Sequence, residues 1–132
     1  MTVVFFKFCQ ENNQFRIERD ANGTVHITPP TGLETGIKNS YLTADLINWK
    51  RNENKGEVCD SSTGYKLSNN ATRSPDASFI SHERLSKLTP EQRKKFPPVS
   101  PEFAAEIRSA SDSLKPLQKK MHEYIECGVL LA

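Results

Sequence analysis

The sequence predicts a mixed α/β domain, of the α+β or α/β kind, in which a central sheet is flanked by helices. Three observations carry that prediction. An alternating stretch centred on Asn22-Gly23 reads as a hairpin. Apolar residues recur at helical spacing over residues 35–50 and again in LKPLQKKMHEYIECG. Short strand-like runs, punctuated by turn residues, fill much of the interval between those helices. With 132 residues, 36% of them hydrophobic, the chain has room for one core and no second.

The elements follow in order. MTVVFFKFC is apolar, but it has neither a basic segment before it nor a cleavage-site pattern, and it is too short to span a membrane. It reads as a terminus packed on the core. FRIERDANGTVHITPP places strands at 15–19 and 24–28, joined through Asn22-Gly23, because both of those residues accept positive φ in a tight turn. Pro29 and Pro30 stop the ladder. Ile37, Tyr41, Leu42, Leu46 and Trp49 then mark an amphipathic helix that ends near Gly56. GEVCDSSTGYKLSNNATRSPDASFIS reads as three short, mostly antiparallel strands broken at Gly64 and at Asn69-Asn70. Thr89 followed by Gln92 is a capping box with Pro90 at the first helical position, so a short helix starts there and stops before Pro97-Pro98. FAAEIRSA is a further strand, and Gly128 closes the last helix.

Composition narrows the function classes. Eighteen basic residues against sixteen acidic ones give a net charge of +2, too small to announce a nucleic-acid binder, so any polyanion must be met locally. Cys9, Cys59 and Cys127 form no CxxC pair, which argues against a disulfide framework or a zinc site and favours a reducing cytoplasm. His26, His82 and His122 lack metal-ligand spacing, and Asp60 reads as a turn cap. Arg84, Lys87, Arg93, Lys94 and Lys95 read as a solvated face, with phosphate contact as the alternative. Residues 35–39 offer only the donors of any helix N-terminus.

The chemistry gathers around RSPDASFIS. Pro75 fixes its own φ and extends Ser74, so Asp76 stands at the mouth of an apolar strand. By itself it reads as a turn aspartate. In FAAEIRS, strand alternation sets Ala104, Glu106 and Arg108 on one face, and Glu106 alone reads as an edge glutamate paired with Arg108. On the last helix Leu117, Met121 and Tyr124 share a side. Lys120 borders that stripe while Lys119 faces solvent, and Lys120 alone reads as a snorkelling flank residue. Together an aspartate, a glutamate and a lysine are the minimum set for metal-dependent phosphodiester hydrolysis. The acids hold a hard cation that acidifies water, and the lysine orients that water or steadies the charged phosphorane.

Nearly the whole chain resembles the Uma-two family, abundant in cyanobacteria and similar to restriction endonucleases of the PD-(D/E)xK type. The resemblance implies a restriction-endonuclease-like core, with a central mixed sheet flanked by helices, spanning residues 1–132. The family's proline-aspartate matches Pro75-Asp76, and its second acid matches Glu106 in AAEIRS. The lysine usual two residues after that acid is absent; in its place the family's K-x-x-x-Y helix pattern matches Lys120 and Tyr124. An R-[LI]-E pattern in the first hairpin matches Glu18 as a further acid. Implied are a Mg²⁺- or Mn²⁺-dependent endonuclease acting on DNA, with Asp76, Glu106, Lys120 and Glu18 as catalytic residues and Asp76 and Glu106 as metal ligands. No membrane partner is implied.

Relatives resembling this chain continue past the final helix into further strands, whereas it stops at VLLA, and Ala110 stands where a proline is usual. The domain is therefore expected to lack its final strands. Two other readings follow: a truncated, catalytically inactive remnant that binds nucleic acid or protein, and an interaction protein whose open sheet edge recruits another chain. With no strand partner for VLLA, lowered stability or self-association through the sheet edge is expected, a homodimer being one outcome. Asp76, taken as a strained charge and not a packing element, is expected to be removable with little harm to the fold.

Overall fold

The computed structural model describes residues 2–132 and arranges the strands in two antiparallel sheets, with helices against them. In the first sheet β1 (Arg16–Arg19) pairs with β2 (Val25–Thr28) and with β5 (Thr72–Arg73), which pairs in turn with β4 (Tyr65–Lys66). In the second, β6 (Ala77–Ser81) lies between β3 (Gly56–Cys59) and β7 (Phe103–Ala105). The stretch read as three strands holds four, because Pro75 cannot donate to a ladder and the chain changes sheets at Ser74-Pro75-Asp76. Among the described residues, parallel pairing is confined to a bridge between Phe103 and Leu131. Among the described residues, no helix is long and apolar enough to cross a membrane.

The apolar N-terminus, expected to pack on the core, forms a helix, α1 (Thr2–Glu11), that packs only in part: Phe5 is buried while Val3, Val4 and Phe8 are exposed. Phe5 and Phe6 set their rings 5.9 and 5.0 Å from that of Phe96, and the Arg19 guanidinium lies 4.8 Å over Phe5. The hairpin turn differs from the sequence expectation. Only Gly23 takes positive φ, at 93°, while Asn22 accepts the Thr24 N–H. Asp20 donates to the Thr24 carbonyl and accepts from Gly23, a three-residue loop with the left-handed position reserved for glycine. The helix expected after Pro30 forms as α2 (Leu33–Glu53): it starts before residue 35, stops short of Gly56, and buries no residue fully, Tyr41 of the expected apolar stripe being exposed. Its C-terminal half reaches the second sheet, where Trp49 meets Phe79 edge-on at 4.9 Å.

The principal core joins the two sheets. Tyr65 and Leu67 from the first meet Ile80 and Ala104 from the second beneath Tyr124 of α5 (Leu114–Glu126) and Val129. Every residue from 71 to 80 is buried, so the segment carrying Asp76 runs through the middle of the molecule. The short helices α3 (His82–Ser86) and α4 (Pro90–Arg93) precede β7, and the Thr89–Gln92 capping box at α4 is formed in both directions. Arg84 is no solvated side chain: it donates to the carbonyls of Ser100, Pro101 and Gly128 at 2.8, 3.3 and 3.1 Å.

Contrary to the expectation for VLLA, that segment finds a partner. Leu130 and Leu131 both donate to the Glu102 carbonyl, at 2.9 and 3.1 Å, and Ala104 donates to Leu131 at 3.0 Å. Val129, buried beneath these bonds, holds the segment down, so the outer side of β7 is covered where an open edge was expected.

Gly56 opens β3 against β6 so closely that an added Cβ would meet the Ile80 carbonyl, the Phe79 ring and the Ser81 Cα. Two of those neighbours are backbone and cannot move aside. Gly56→Ala should therefore cost about 3 kcal/mol, seen as a lower denaturant midpoint at unchanged slope.

Candidate active site

The site grows from the end of the β6–β7 ladder. Ala77 pairs with Ala105, so Asp76 and Glu106 are the next residues along, one on each strand, where the ladder stops. Alternation turns the Glu106 side chain to the same face as buried Ala104, as the sequence implies. On β1 the same alternation sets Arg16 and Glu18 on one face, over that ladder end, and α5 lays Lys120 and Tyr124 across the top. All four sequence-predicted residues, Asp76, Glu106, Lys120 and Glu18, meet here.

The contacts are specific. Asp76 accepts from Arg16 Nη1 through Oδ1 and from the Ile107 N–H through Oδ2, each at 2.6 Å. Glu106 accepts from Arg16 Nη2 through Oε2 at 3.2 Å and from the Tyr124 hydroxyl through Oε1 at 2.9 Å. Glu18 accepts from Lys120 Nζ at 2.9 Å and from the Ser74 N–H at 2.7 Å. Lys120 Nζ also stands 3.7 Å from Glu106 Oε1, tying the two glutamates to one ammonium. The expected pairing of Glu106 with Arg108 does not form: Arg108 donates to the Asp112 carbonyl.

The carboxylates of Glu18, Asp76 and Glu106 are only 7, 6 and 5% exposed, which makes their neighbours decisive. Burial alone would raise the Glu18 pKa, but Lys120, Arg16 and the Ser74 N–H outweigh it and hold the group below the ordinary glutamate value. At Glu106 burial wins. Lys120 and Arg16 oppose it, the Glu18 and Asp76 charges add to it, and the pKa is raised. Burial first, then the charges of Glu106 and Glu18, push the Tyr124 hydroxyl well above its ordinary range, so it remains a proton donor to Glu106. For Arg16, burial works against the charge, and Glu106, Glu18 and Asp76 more than reverse that effect.

One turn beyond Lys120, Glu123 accepts from Arg73 Nε at 2.6 Å, and Arg73 also reaches Asp20 at 2.9 Å. This mostly buried pair fastens α5 to β5 and so sets the position of Lys120. Lys119, its sequence neighbour, is exposed, in agreement with the helical phase. The site opens into a cleft of about 470 Å³ walled by the Thr28–Thr35 and Ser109–Ser113 loops.

The donor chemistry suits a hard divalent cation. Asp76 and Glu106 each turn one oxygen to the same positive group, the Arg16 guanidinium, so both are within reach of one centre. Among the described residues, no three His, Cys, Asp or Glu side chains are arranged to hold a metal ion. A pair is nevertheless the arrangement Mg²⁺ commonly uses, with waters and substrate oxygens completing its octahedron. The residues therefore fit Mg²⁺ or Mn²⁺, provided that the guanidinium gives way.

Arg16 is the site residue that sequence reasoning missed. Its signal was present in the R-[LI]-E pattern and in the strand alternation that sets it beside Glu18. The Ile107 and Ser74 N–H donors carried no side-chain signal. Asp60 caps its turn as expected, accepting from the Ser62 N–H at 3.0 Å, and His26 pairs with Asp20 away from any metal cluster.

Among solved structures, the crystal structure of a "putative nuclease belonging to DUF820" from Anabaena variabilis ATCC 29413 is similar, with a TM-score of 0.67 at 14% identity. The likeness covers 86% of this chain and 62% of the Anabaena chain, so this chain spans less than two thirds of that protein, and what is shared is the fold. No curated protein matches the chain. A family model described as "Uma2: Putative restriction endonuclease" matches residues 4–132, a stretch that takes in β1, the Pro75-Asp76 crossing, β7 and α5 together. The acids, the lysine and the elements that bring them together all lie within that match, and the chain belongs to the Uma2 family.

Proposed function

We propose that the protein is a Mg²⁺- or Mn²⁺-dependent endonuclease that hydrolyses phosphodiester bonds of DNA. The observation that carries this reading is the convergence of Asp76, Glu106, Glu18 and Lys120 at the floor of one open cleft. Asp76 and Glu106 would hold the cation, each steadied by a donor of the chain, the Ile107 N–H and the Tyr124 hydroxyl. Bound there, the cation supplies a Lewis acid that makes a coordinated water acidic. Lys120, 20% exposed and fixed by Glu18, orients the attacking water and donates to the oxygens on which charge develops. Glu18 acts through Lys120, since both of its oxygens are engaged within the protein. The three cysteines are free, as suits a reducing cytoplasm.

A second reading, a nuclease-fold remnant that binds nucleic acid without cutting it, is favoured by one observation: Arg16 already pairs with both proposed ligands. Plasmid cleavage decides between them. Wild type should nick or linearise supercoiled DNA with Mg²⁺ or Mn²⁺ and not in a chelator. Lys120→Met should lower the rate about a hundredfold with metal binding retained, and Lys119→Ala should cut like wild type. DNA binding with no cleavage under any metal would select the remnant. Equal losses in the two lysine variants would contradict the role given to Lys120.

A further inference from the structure

Arg16 stands where a cation shared by Asp76 and Glu106 would stand. Of the four oxygens on these two side chains, Asp76 Oδ2 is held by the Ile107 N–H and Glu106 Oε1 by Tyr124. The remaining pair, Asp76 Oδ1 and Glu106 Oε2, faces the two terminal nitrogens of one guanidinium. These are the oxygens left for a shared ligand. Three buried carboxylates against Arg16 and Lys120 leave one negative charge, so the site is nearly balanced as it stands. A divalent cation added beside the guanidinium would meet it as a like charge in a partly buried site.

The guanidinium also has somewhere to go. Arg16 lines both the site cleft and a second cleft of about 520 Å³ bordered by α1, the Thr28–Thr31 segment and Asn39 of α2. Among the described residues, two buried side-chain polar atoms lack a hydrogen-bond partner: the donor Arg16 Nε and the acceptor Asn39 Oδ1. Both residues line this second cleft. A buried donor and a buried acceptor left unsatisfied mark the cleft as the place where a displaced Arg16 side chain can be received.

We propose that Arg16 is an internal counter-ion that competes with the divalent cation for Asp76 and Glu106, so that metal loading requires the guanidinium to swing toward Asn39. This rests on the proposed metal-dependent reading of the site. The competition keeps the acids paired and the fold stable without metal, and it raises the cation concentration needed for loading. Arg16 is thus a positioning residue, acting through the carboxylates it holds.

Titration calorimetry with Mn²⁺ on wild type, Arg16→Met and Arg16→Lys tests it, together with thermal melts in chelator and in Mn²⁺. Arg16→Met should bind Mn²⁺ at least about tenfold more tightly than wild type, and a further Asp76→Asn change should abolish that binding. It should melt lower than wild type in chelator and recover with Mn²⁺, whereas the wild-type melt should hardly move. If Arg16→Met does not fold in chelator, refolding on Mn²⁺ addition counts for the proposal. Failure to fold in Mn²⁺ as well leaves the decision to Arg16→Lys, which keeps a charge but cannot bridge both acids and must also gain affinity. Wild type binding Mn²⁺ as tightly as the variants would overturn the competition and leave the metal site standing. No Mn²⁺ binding in wild type or in any folded variant would remove the metal site itself.

Discussion

Replacing Asp76 by asparagine should reduce metal-dependent cleavage about a thousandfold, equivalent to roughly 4 kcal/mol of transition-state stabilisation. Asparagine keeps the volume and an acceptor for the Ile107 N–H, but it removes the charge that would bind the cation and that now pairs with Arg16 at 2.6 Å. Stability should fall by about 2 kcal/mol through the weakened charged hydrogen bond. Asp76→Ala is a different experiment. With Asp76 5% exposed, deletion strands both a buried N–H and part of a guanidinium, and the cost rises to about 3–5 kcal/mol. The expectation that Asp76 is removable at little cost to the fold is therefore corrected: the carboxylate is a buried structural acceptor as well as a candidate ligand. Single-turnover plasmid cleavage and thermal melts on both variants check this. An Asn variant cutting within tenfold of wild type would show that Asp76 holds no essential metal.

Tyr124→Ala should lower stability by about 4 kcal/mol, a fall in Tm of roughly 15 °C for a chain of this size. Tyr124 is 1% exposed and packs in the cluster where Tyr65, Leu67, Ile80 and Ala104 bring the two sheets together. Truncating it opens a cavity where those sheets and α5 meet, and it removes the donor on Glu106 Oε1. Tyr124→Phe separates the two contributions. It keeps the packing and should cost only about 1–2 kcal/mol, the loss of one buried hydrogen bond to a carboxylate. Its melt should lie much nearer wild type than that of the alanine variant. Similar melting temperatures for Phe and Ala would place the stabilisation in the hydroxyl instead of the ring.

Much of the architecture was legible because it is written in local rules. The Thr89–Gln92 capping box, the α5 phase that separates Lys120 from Lys119, and the alternation that turns Glu106 inward all depend on residues a few positions apart. They appear as expected. The helical state of the N-terminus, the three-residue hairpin loop and the extra strand break at Pro75 were less legible, since each turns on a choice between backbone states that the same residues tolerate. The partner of VLLA was beyond local reading altogether. Leu130 and Leu131 bond to Glu102, more than twenty residues earlier in the chain.

By itself the sequence determined which side chains make up the candidate site: an aspartate behind Pro75, a glutamate on a short strand, a helix lysine and a hairpin glutamate. Periodicity and turn chemistry place each on its own element. Only the tertiary structure decided that Glu18 serves Lys120, that the Ile107 N–H and Tyr124 hold the two acids, and that Arg16 lies between them. Arg16 and Glu106 are 90 positions apart, and Lys120 and Glu18 are 102 apart. Contacts across such distances depend on how two sheets and a helix dock, and that docking is set by the summed burial of Tyr65, Ile80, Ala104 and Tyr124, drawn from both sheets and α5 together.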